Sequence, residues 1–275
     1  MTIAQALAEA ARDGVARLDA QLLLLHALGR PPQDRAWLLA HDTDPLVLHA
    51  RTAFAQLCQR RLAGEPVAYL VGHKEFFGLD LLVDRRVLVP RPETELLVEW
   101  ALEVLAPMAA PRVADLGTGS GAIALALQQA RPDARVTAID ASEDALQVAR
   151  ANAAHLGLAV DVVPGHWLQG VSQHFQLLVS NPPYVADGDP HLAALGHEPR
   201  QALVAGADGL DDLREIVAAA PARLVAGGSL LLEHGWDQAV AVRALLVDAG
   251  FTDVSTRRDL AGVERCSGGR RLEHG

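Results

Sequence analysis

The stretch Arg112-Val113-Ala114-Asp115-Leu116-Gly117-Thr118-Gly119-Ser120-Gly121 decides the fold. Its first half is an apolar strand ending near an acid. Its second half is a turn of three alternating glycines, and it runs straight into the apolar helix predicted over residues 122–130. Glycines at such a turn let the backbone bend sharply and approach a ligand closely. A dinucleotide-binding loop spaces its glycines G-x-G-x-x-G, whereas these run G-x-G-x-G. Asp115 also sets a carboxylate where a pyrophosphate would be repelled and a cationic ligand would be welcome.

Outward from this turn the period repeats. Strands are predicted near Val113–Leu116, Val136–Ile139, Val160–Val163, Leu177–Ser180 and Ser229–Glu233. Helices are predicted at 93–105, 120–130, 142–156, 210–224 and 238–249. Such alternation gives an α/β domain of the Rossmann-like kind, a mostly parallel sheet with helices on both faces and its ligand site at the carboxyl ends of the strands. Asp140 closes the second strand, where an acid commonly takes the hydroxyls of a ribose. After the third strand comes Gly165-His166-Trp167, whose indole either stacks on an adenine or belongs to the core. The tail Glu264–Arg270 reads as a poor final strand, because Gly268 and Gly269 weaken it.

Before residue 92 the pattern differs. Ile3, Leu7 and Ala10, then Leu18, Leu22, Leu25 and Leu28, then Leu46, Phe54, Leu57 and Leu62 recur at helical spacing. The predicted organisation is a helical-bundle domain over residues 1–64, a β-hairpin linker over 65–92, and the α/β domain over 93–275. Gly64-Glu65-Pro66 reads as the end of the helices, and Phe76–Val83 followed by Val87–Val89 as the hairpin.

Composition narrows the classes. Half of the 275 residues are hydrophobic, enough for a sizeable core. The formal net charge of −10 argues against a stable nucleic-acid partner, since phosphate neutralisation supplies most of that affinity. The arginines between Arg51 and Arg91 read as a solvated face and hairpin. No apolar run approaches membrane-spanning length, and the two distant cysteines form no disulfide framework, so a soluble, cytoplasmic, monomeric protein is expected. No histidine or cysteine spacing implies a metal. His234 reads as structural.

About sixty residues beyond the glycine turn, Leu178-Val179-Ser180 runs into Asn181-Pro182-Pro183-Tyr184. The Asn181 side-chain oxygen and the Pro182 carbonyl can each accept one N–H of a planar NH2 group. Two such acceptors orient the nitrogen and favour the positive charge it gains as it attacks. The prolines stiffen the loop, and Tyr184 offers a flat face. The chemistry this suggests is methyl transfer to nitrogen, with no general base required. A nicotinamide-dependent dehydrogenase would use similar glycines and an acid, but leaves Asn181–Tyr184 unexplained.

With both motifs in view, the chain resembles the protein-(glutamine-N5) methyltransferases of the PrmC/HemK family, which modify peptide-chain release factors. The resemblance also rests on Gly64–Leu70, Glu75–Gly78, Pro90–Glu95, Glu198-Pro199 and Leu231–Trp236. It implies a class I fold, with S-adenosylmethionine held by Asp115, Gly117, Thr118, Gly119, Ser120, Gly121, Asp140, Trp167 and Asn181. It implies that Asn181, Pro182, Pro183 and Tyr184 clamp the glutamine of a Gly-Gly-Gln loop in a class 1 release factor. Asn181, Pro182 and Tyr184 are then the catalytic residues, Arg91 and Glu93 order the entrance, and the N-terminal helices dock the release factor. Three departures from the family pattern stand out: His166 where an acid is usual before the tryptophan, His197 where an aromatic is expected, and the glycine-weakened tail Glu264–Arg270. An adenine-N6 or guanine-N2 nucleic-acid methyltransferase would need the same clamp for a flipped base. A non-catalytic S-adenosylmethionine-binding scaffold on the termination machinery would not need it.

Overall fold

The computed structural model describes residues 1–272 and divides into two compact units, the first ending at His73 and the second beginning at Lys74.

The first unit is helical: α1 (Ile3–Arg12), α2 (Arg17–Ala27), α3 (Arg35–Ala40), α4 (Leu48–Leu62) and α5 (Val67–Val71). A reciprocal capping box starts α1, with Thr2 Oγ1 accepting from the Gln5 amide and Gln5 Oε1 accepting from the Thr2 amide. Ile3, Ala6 and Ala10 of α1 close on Leu23, Leu24 and Leu25 of α2 and on Phe54 and Leu57 of α4. Leu70 of α5 joins this core. The unit therefore runs past the boundary expected at residue 64. Pro66 does not end the helices; its extended backbone begins another short one, which Gly72 stops in the left-handed conformation.

Next comes the hairpin β1 (His73–Phe76) and β2 (Leu79–Leu82), whose first residue is the last of the first unit. Phe77 and Gly78, both at positive φ, form its two-residue turn. The expected continuation through Val87–Val89 is irregular chain rather than strand. Next come α6 (Glu95–Leu105), β3 (Arg112–Leu116), α7 (Ala122–Ala130), β4 (Arg135–Asp140), α8 (Glu143–Leu156), β5 (Asp161–Pro164) and β6 (Phe175–Ser180). The chain finishes through α9 (Asp211–Ala219), β7 (Leu224–Glu233), α10 (Ala239–Asp248), β8 (Phe251–Arg258) and β9 (Glu264–Arg271). Among the described residues no helix is long and apolar enough to cross a membrane.

The seven-stranded sheet has the order β5-β4-β3-β6-β7-β9-β8, parallel from β5 to β7, with β9 antiparallel to both of its neighbours. Leu213 and Ile216 of α9 and Val242 and Leu246 of α10 pack with Leu178, Leu230 and Leu232 of the sheet. Asn152, fully buried on α8, accepts from the Leu82 amide at 2.7 Å. It also donates to the carbonyls of Leu82 and Ser120, tying the hairpin to the glycine turn.

The C-terminal region corrects the reading of the tail. Residues 264–271 form a full strand inside the sheet, and β8 is an additional strand with no counterpart in the sequence reading. The glycines are what permit it. A Cβ on Gly268 would lie 2.5 Å from Leu231 Cδ2 and 2.7 Å from the Leu230 carbonyl oxygen, and one on Gly269 would lie 2.8 Å from Phe251 Cβ. Close packing overrides the low strand propensity of glycine here.

Candidate active site

Sheet order places the site. β3 and β6 are hydrogen-bonded neighbours, yet the chain leaves β3 toward β4 on one side and leaves β6 toward β7 on the other. At such a switch the connections diverge and leave a crevice at the carboxyl ends of the strands. In register, Leu116 lies opposite both Ile139 and Ser180, so Gly117, Asp140 and Asn181 leave the sheet side by side. A cleft of about 650 Å³ opens there.

One wall is built of backbone. Gly117, Gly119 and Gly121 all have positive φ, in the left-handed region that L side chains rarely adopt. The amides of Gly117 and Thr118 donate to the Ile139 carbonyl at 2.8 and 2.9 Å. The Asp140 carboxylate accepts from the Gly119 amide at 2.8 Å and the Ser142 amide at 2.9 Å, which fixes the turn against the end of β4. Burial raises the proton affinity of Asp140, and these amides lower it.

Gly117, Gly119, Asp140, Trp167 and Asn181 line the cleft. Asp115, Thr118, Ser120 and Gly121 are buried behind that surface. Asp115 is sealed from solvent and accepts from Thr118 Oγ1 at 2.6 Å and the Ala124 amide at 3.2 Å, so it braces the turn and the start of α7. Among the described residues its other oxygen has no partner, and burial pushes its carboxyl up to about 7.

Trp167 is both core and lining, 9% exposed and at positive φ. A Cβ on Gly117 would come within 2.9 Å of its ring, so ring and glycine are matched. Among the described residues the indole Nε1 has no hydrogen bond of ordinary geometry, although the indole is near enough to lower the Asp212 carboxyl against the effect of burial. Asp212 lines the cleft too, a placement invisible in the sequence. His166 also lines the cleft; it is exposed, with its Nδ1 3.2 Å from Glu215 Oε1.

The opposite wall is built of side chains brought from distant segments. Asn181 and Pro183 face the cleft, whereas Pro182 is buried. Asn181 Nδ2 donates to Thr94 Oγ1 at 3.1 Å. Tyr184 turns inward, and its hydroxyl donates to Glu233 Oε1 at 3.2 Å. Among the described residues Glu233 Oε2 has no hydrogen bond of ordinary geometry. Burial pushes the Glu233 carboxyl up to about 7; the Thr94 hydroxyl, the Tyr184 phenol and Arg265 pull it down, and Glu93 adds to the rise. Gln238 holds the loop from behind, donating to the Tyr184 carbonyl at 3.0 Å.

Arg91 and Glu93, expected at the entrance, do not line the cleft. Arg91 pairs with Glu198 Oε1 at 2.5 Å, and Glu198 Oε2 accepts from the Val89 amide at 3.0 Å. Glu93 is exposed. The residue of that segment that reaches the site is Thr94, 4% exposed, which the sequence reading passed over together with Glu233. His234 is buried between the Gly235 carbonyl and Ser267 Oγ, in keeping with a structural role. Cys58 and Cys266 are buried thiols, and burial raises both. Among the described residues no cluster of histidine, cysteine or carboxylate could hold a metal.

The cleft suits a nucleoside carrying a sulfonium. It has a backbone cradle of three glycines at positive φ, a carboxylate at the β4 end with lone pairs left for hydroxyls, and a flat indole. Residues 93–235 match the Methyltransferase small domain family, and residues 2–72 match the PrmC N-terminal domain. The release factor glutamine methyltransferase of Bordetella pertussis is 54% identical, covering 93% of this chain and 95% of its own. That of Xylella fastidiosa strain Temecula1 is 50% identical, covering 96% and 97%. Among solved structures, a methyltransferase from Pyrococcus furiosus superposes with a TM-score of 0.54 at 19% identity, over 79% of this chain and 99% of that one. That likeness shows the fold.

Proposed function

Because the chain belongs to the release factor glutamine methyltransferase family, we propose that it transfers a methyl group from S-adenosylmethionine to the side-chain amide nitrogen, N5, of the glutamine in the Gly-Gly-Gln motif of class 1 release factors. The observation that carries this reading is the orientation of Asn181. Its Nδ2 is held by Thr94, so its Oδ1 is left to accept at a cleft it shares with Asp140 and Trp167.

A glutamine amide is a poor nucleophile because its lone pair is delocalised into the carbonyl. Asn181 Oδ1 and the Pro182 carbonyl would take its two N–H groups, aim the lone pair, and stabilise the positive charge that grows on nitrogen. Bound S-adenosylmethionine supplies a methyl on a sulfonium, which departs as a neutral thioether when the amide nitrogen takes the methyl and gives up one proton to water. Asp140 would bind the ribose hydroxyls, and Trp167 would cover the adenine side. Pro183 lines the same cleft beside Asn181. The helical unit, residues 1–73, would supply the surface that meets the body of the release factor.

The test is transfer of labelled methyl to purified release factor, beside a version whose Gly-Gly-Gln glutamine is alanine and beside duplex DNA. Label on the intact release factor alone is the expected result. Label on DNA would overturn the reading in favour of base methylation. Absence of label with cofactor bound would overturn it in favour of a scaffold.

A further inference from the structure

We propose that Thr94 is a positioning residue for the glutamine amide, the middle member of a relay from Glu233 through Thr94 to Asn181 that fixes which way the Asn181 side chain faces. The inference rests on the role of Asn181 proposed above.

An asparagine amide has two nearly isosteric orientations, and only one serves a substrate NH2 group. With Oδ1 toward the cleft it accepts an N–H; flipped, it meets donors with its own NH2. Backbone geometry does not choose between the two, so the choice falls to the group behind the amide. That group is the Thr94 hydroxyl, 3.1 Å from Nδ2. A hydroxyl can donate or accept, and on its own it would tolerate either orientation.

What removes the ambiguity is Glu233. It is 1% exposed at the end of β7, and its Oε1 already receives the Tyr184 hydroxyl. Among the described residues its Oε2 has no partner of ordinary geometry, while the Thr94 hydroxyl is near enough to stabilise the charged carboxylate. A carboxylate only accepts, so it draws the Thr94 proton toward itself and leaves an oxygen lone pair toward Asn181. That lone pair takes Nδ2–H and turns Oδ1 outward. The same carboxylate holds Tyr184, so one buried charge arranges both ends of the Asn181–Tyr184 loop. Thr94 stands in Pro90–Glu95, a segment whose charged members Arg91, Glu93 and Glu95 do not line the cleft. The contribution of that segment to the chemistry is therefore a neutral hydroxyl.

The test compares T94V, T94S and E233Q at pH 8, where most Glu233 is ionised, using release factor as substrate. Valine keeps the shape and β-branching of threonine but offers no acceptor. T94V should lose about 100-fold in kcat, the scale of removing one oriented polar group from a transition state, with KM for the release factor within about threefold. Calorimetric affinity for S-adenosylhomocysteine should stay within about twofold, because the relay touches only the substrate side. T94S restores the hydroxyl and should recover most of kcat; a packing role for the methyl would leave T94S as impaired as T94V and would overturn the relay. Wild-type kcat in T94V would overturn it too. Should T94V fail to fold, E233Q decides, since it removes the charge that commits the proton: a fall of about tenfold supports the relay and an unchanged kcat refutes it. N181A run alongside separates the two levels. An active N181A sinks the role of Asn181 itself, whereas an inactive N181A beside a fully active T94V sinks the relay alone.

Discussion

The two walls of the cleft are made in opposite ways. The glycine wall is backbone: three residues at positive φ, amides tied to the Ile139 carbonyl and Asp140, and a ring fitted to the missing Cβ of Gly117. The asparagine wall is side chain: Asn181, Thr94, Tyr184 and Glu233, drawn from the irregular chain and strand ends around β6, α6 and β7. Backbone geometry is set by local sequence and tolerates most changes of neighbouring side chains. A side-chain network fails when any one member loses its partner. Cofactor binding and turnover should therefore separate under mutation.

The largest separation is expected at Asn181. Replacing it with alanine removes the acceptor proposed for the substrate N–H, so turnover should fall by at least about 10³-fold, roughly 4 kcal/mol of transition-state stabilisation. Affinity for S-adenosylhomocysteine should change by less than about tenfold. Single-turnover methylation alongside calorimetry checks both halves, and equal losses in the two would dissolve the distinction between the walls.

The same contrast explains what the sequence disclosed. The parallel strands, the three glycines and Asp140 were legible because each is a local pattern: an apolar run, a turn that only glycine tolerates, an acid at a strand end. Asn181 and Pro183 were legible as part of a contiguous motif. Thr94 and Glu233 were not, because their meaning lies in contacts across 87 and 49 or more residues. Asp212 was hidden for the same reason, its place beside Trp167 being a product of sheet order. Asp115 misled by its position. It sits one residue from the turn and reads as a ligand contact, but strand alternation turns it into the core, where it braces the turn. The C-terminal strands were misread in the other direction: glycine propensity argued against β9, and the neighbouring Leu231 and Phe251 leave room for little else.

Asp115 also links the backbone wall to pH. Its carboxyl is raised from an ordinary value near 4 to about 7, so the folded state holds its proton where the unfolded chain has released it. The stabilising contribution is complete below about pH 4, declines as pH rises to about 7, and is flat above that. The Glu233 carboxyl, also raised to about 7, acts in the same direction. Integrated over that window, Asp115 accounts for a loss of the order of 4 kcal/mol. D115N carries no such charge and should show a shallower decline in denaturation midpoint between pH 4 and 7. A parallel decline in D115N and wild type would mean that Asp115 is not the titrating brace.

G117A probes the fit of turn and ring. An alanine there must hold a positive φ and place its Cβ within 2.9 Å of the Trp167 ring. Backbone strain alone costs about 1–2 kcal/mol, and displacement of the indole adds to it. Cofactor affinity should fall by roughly 30-fold. In G117A, turnover at saturating cofactor should fall far less, the reverse of N181A. If kcat instead drops while affinity holds, the glycine wall is positioning the reaction rather than the cofactor.

The smallest effect, and the finest test of the comparison, is at Asp140, where backbone and side chain meet. Its carboxylate closes the turn by accepting from Gly119 and Ser142, and it faces the cleft. D140N keeps one carbonyl oxygen and turns an NH2 group toward the second amide or the ligand, so it weakens both roles without emptying the position. A ligand diol losing its charged acceptor should cost roughly 1–2 kcal/mol of cofactor affinity. If the carboxylate acts chiefly on the ligand, calorimetry will show that loss while the melting temperature without cofactor stays within about 3 °C. If it acts chiefly on the turn, the melting temperature will fall and the affinity loss will follow from a disordered loop. The second outcome would make Asp140 a member of the backbone wall in the same sense as Asp115, and would leave recognition of the ribose to the amides alone.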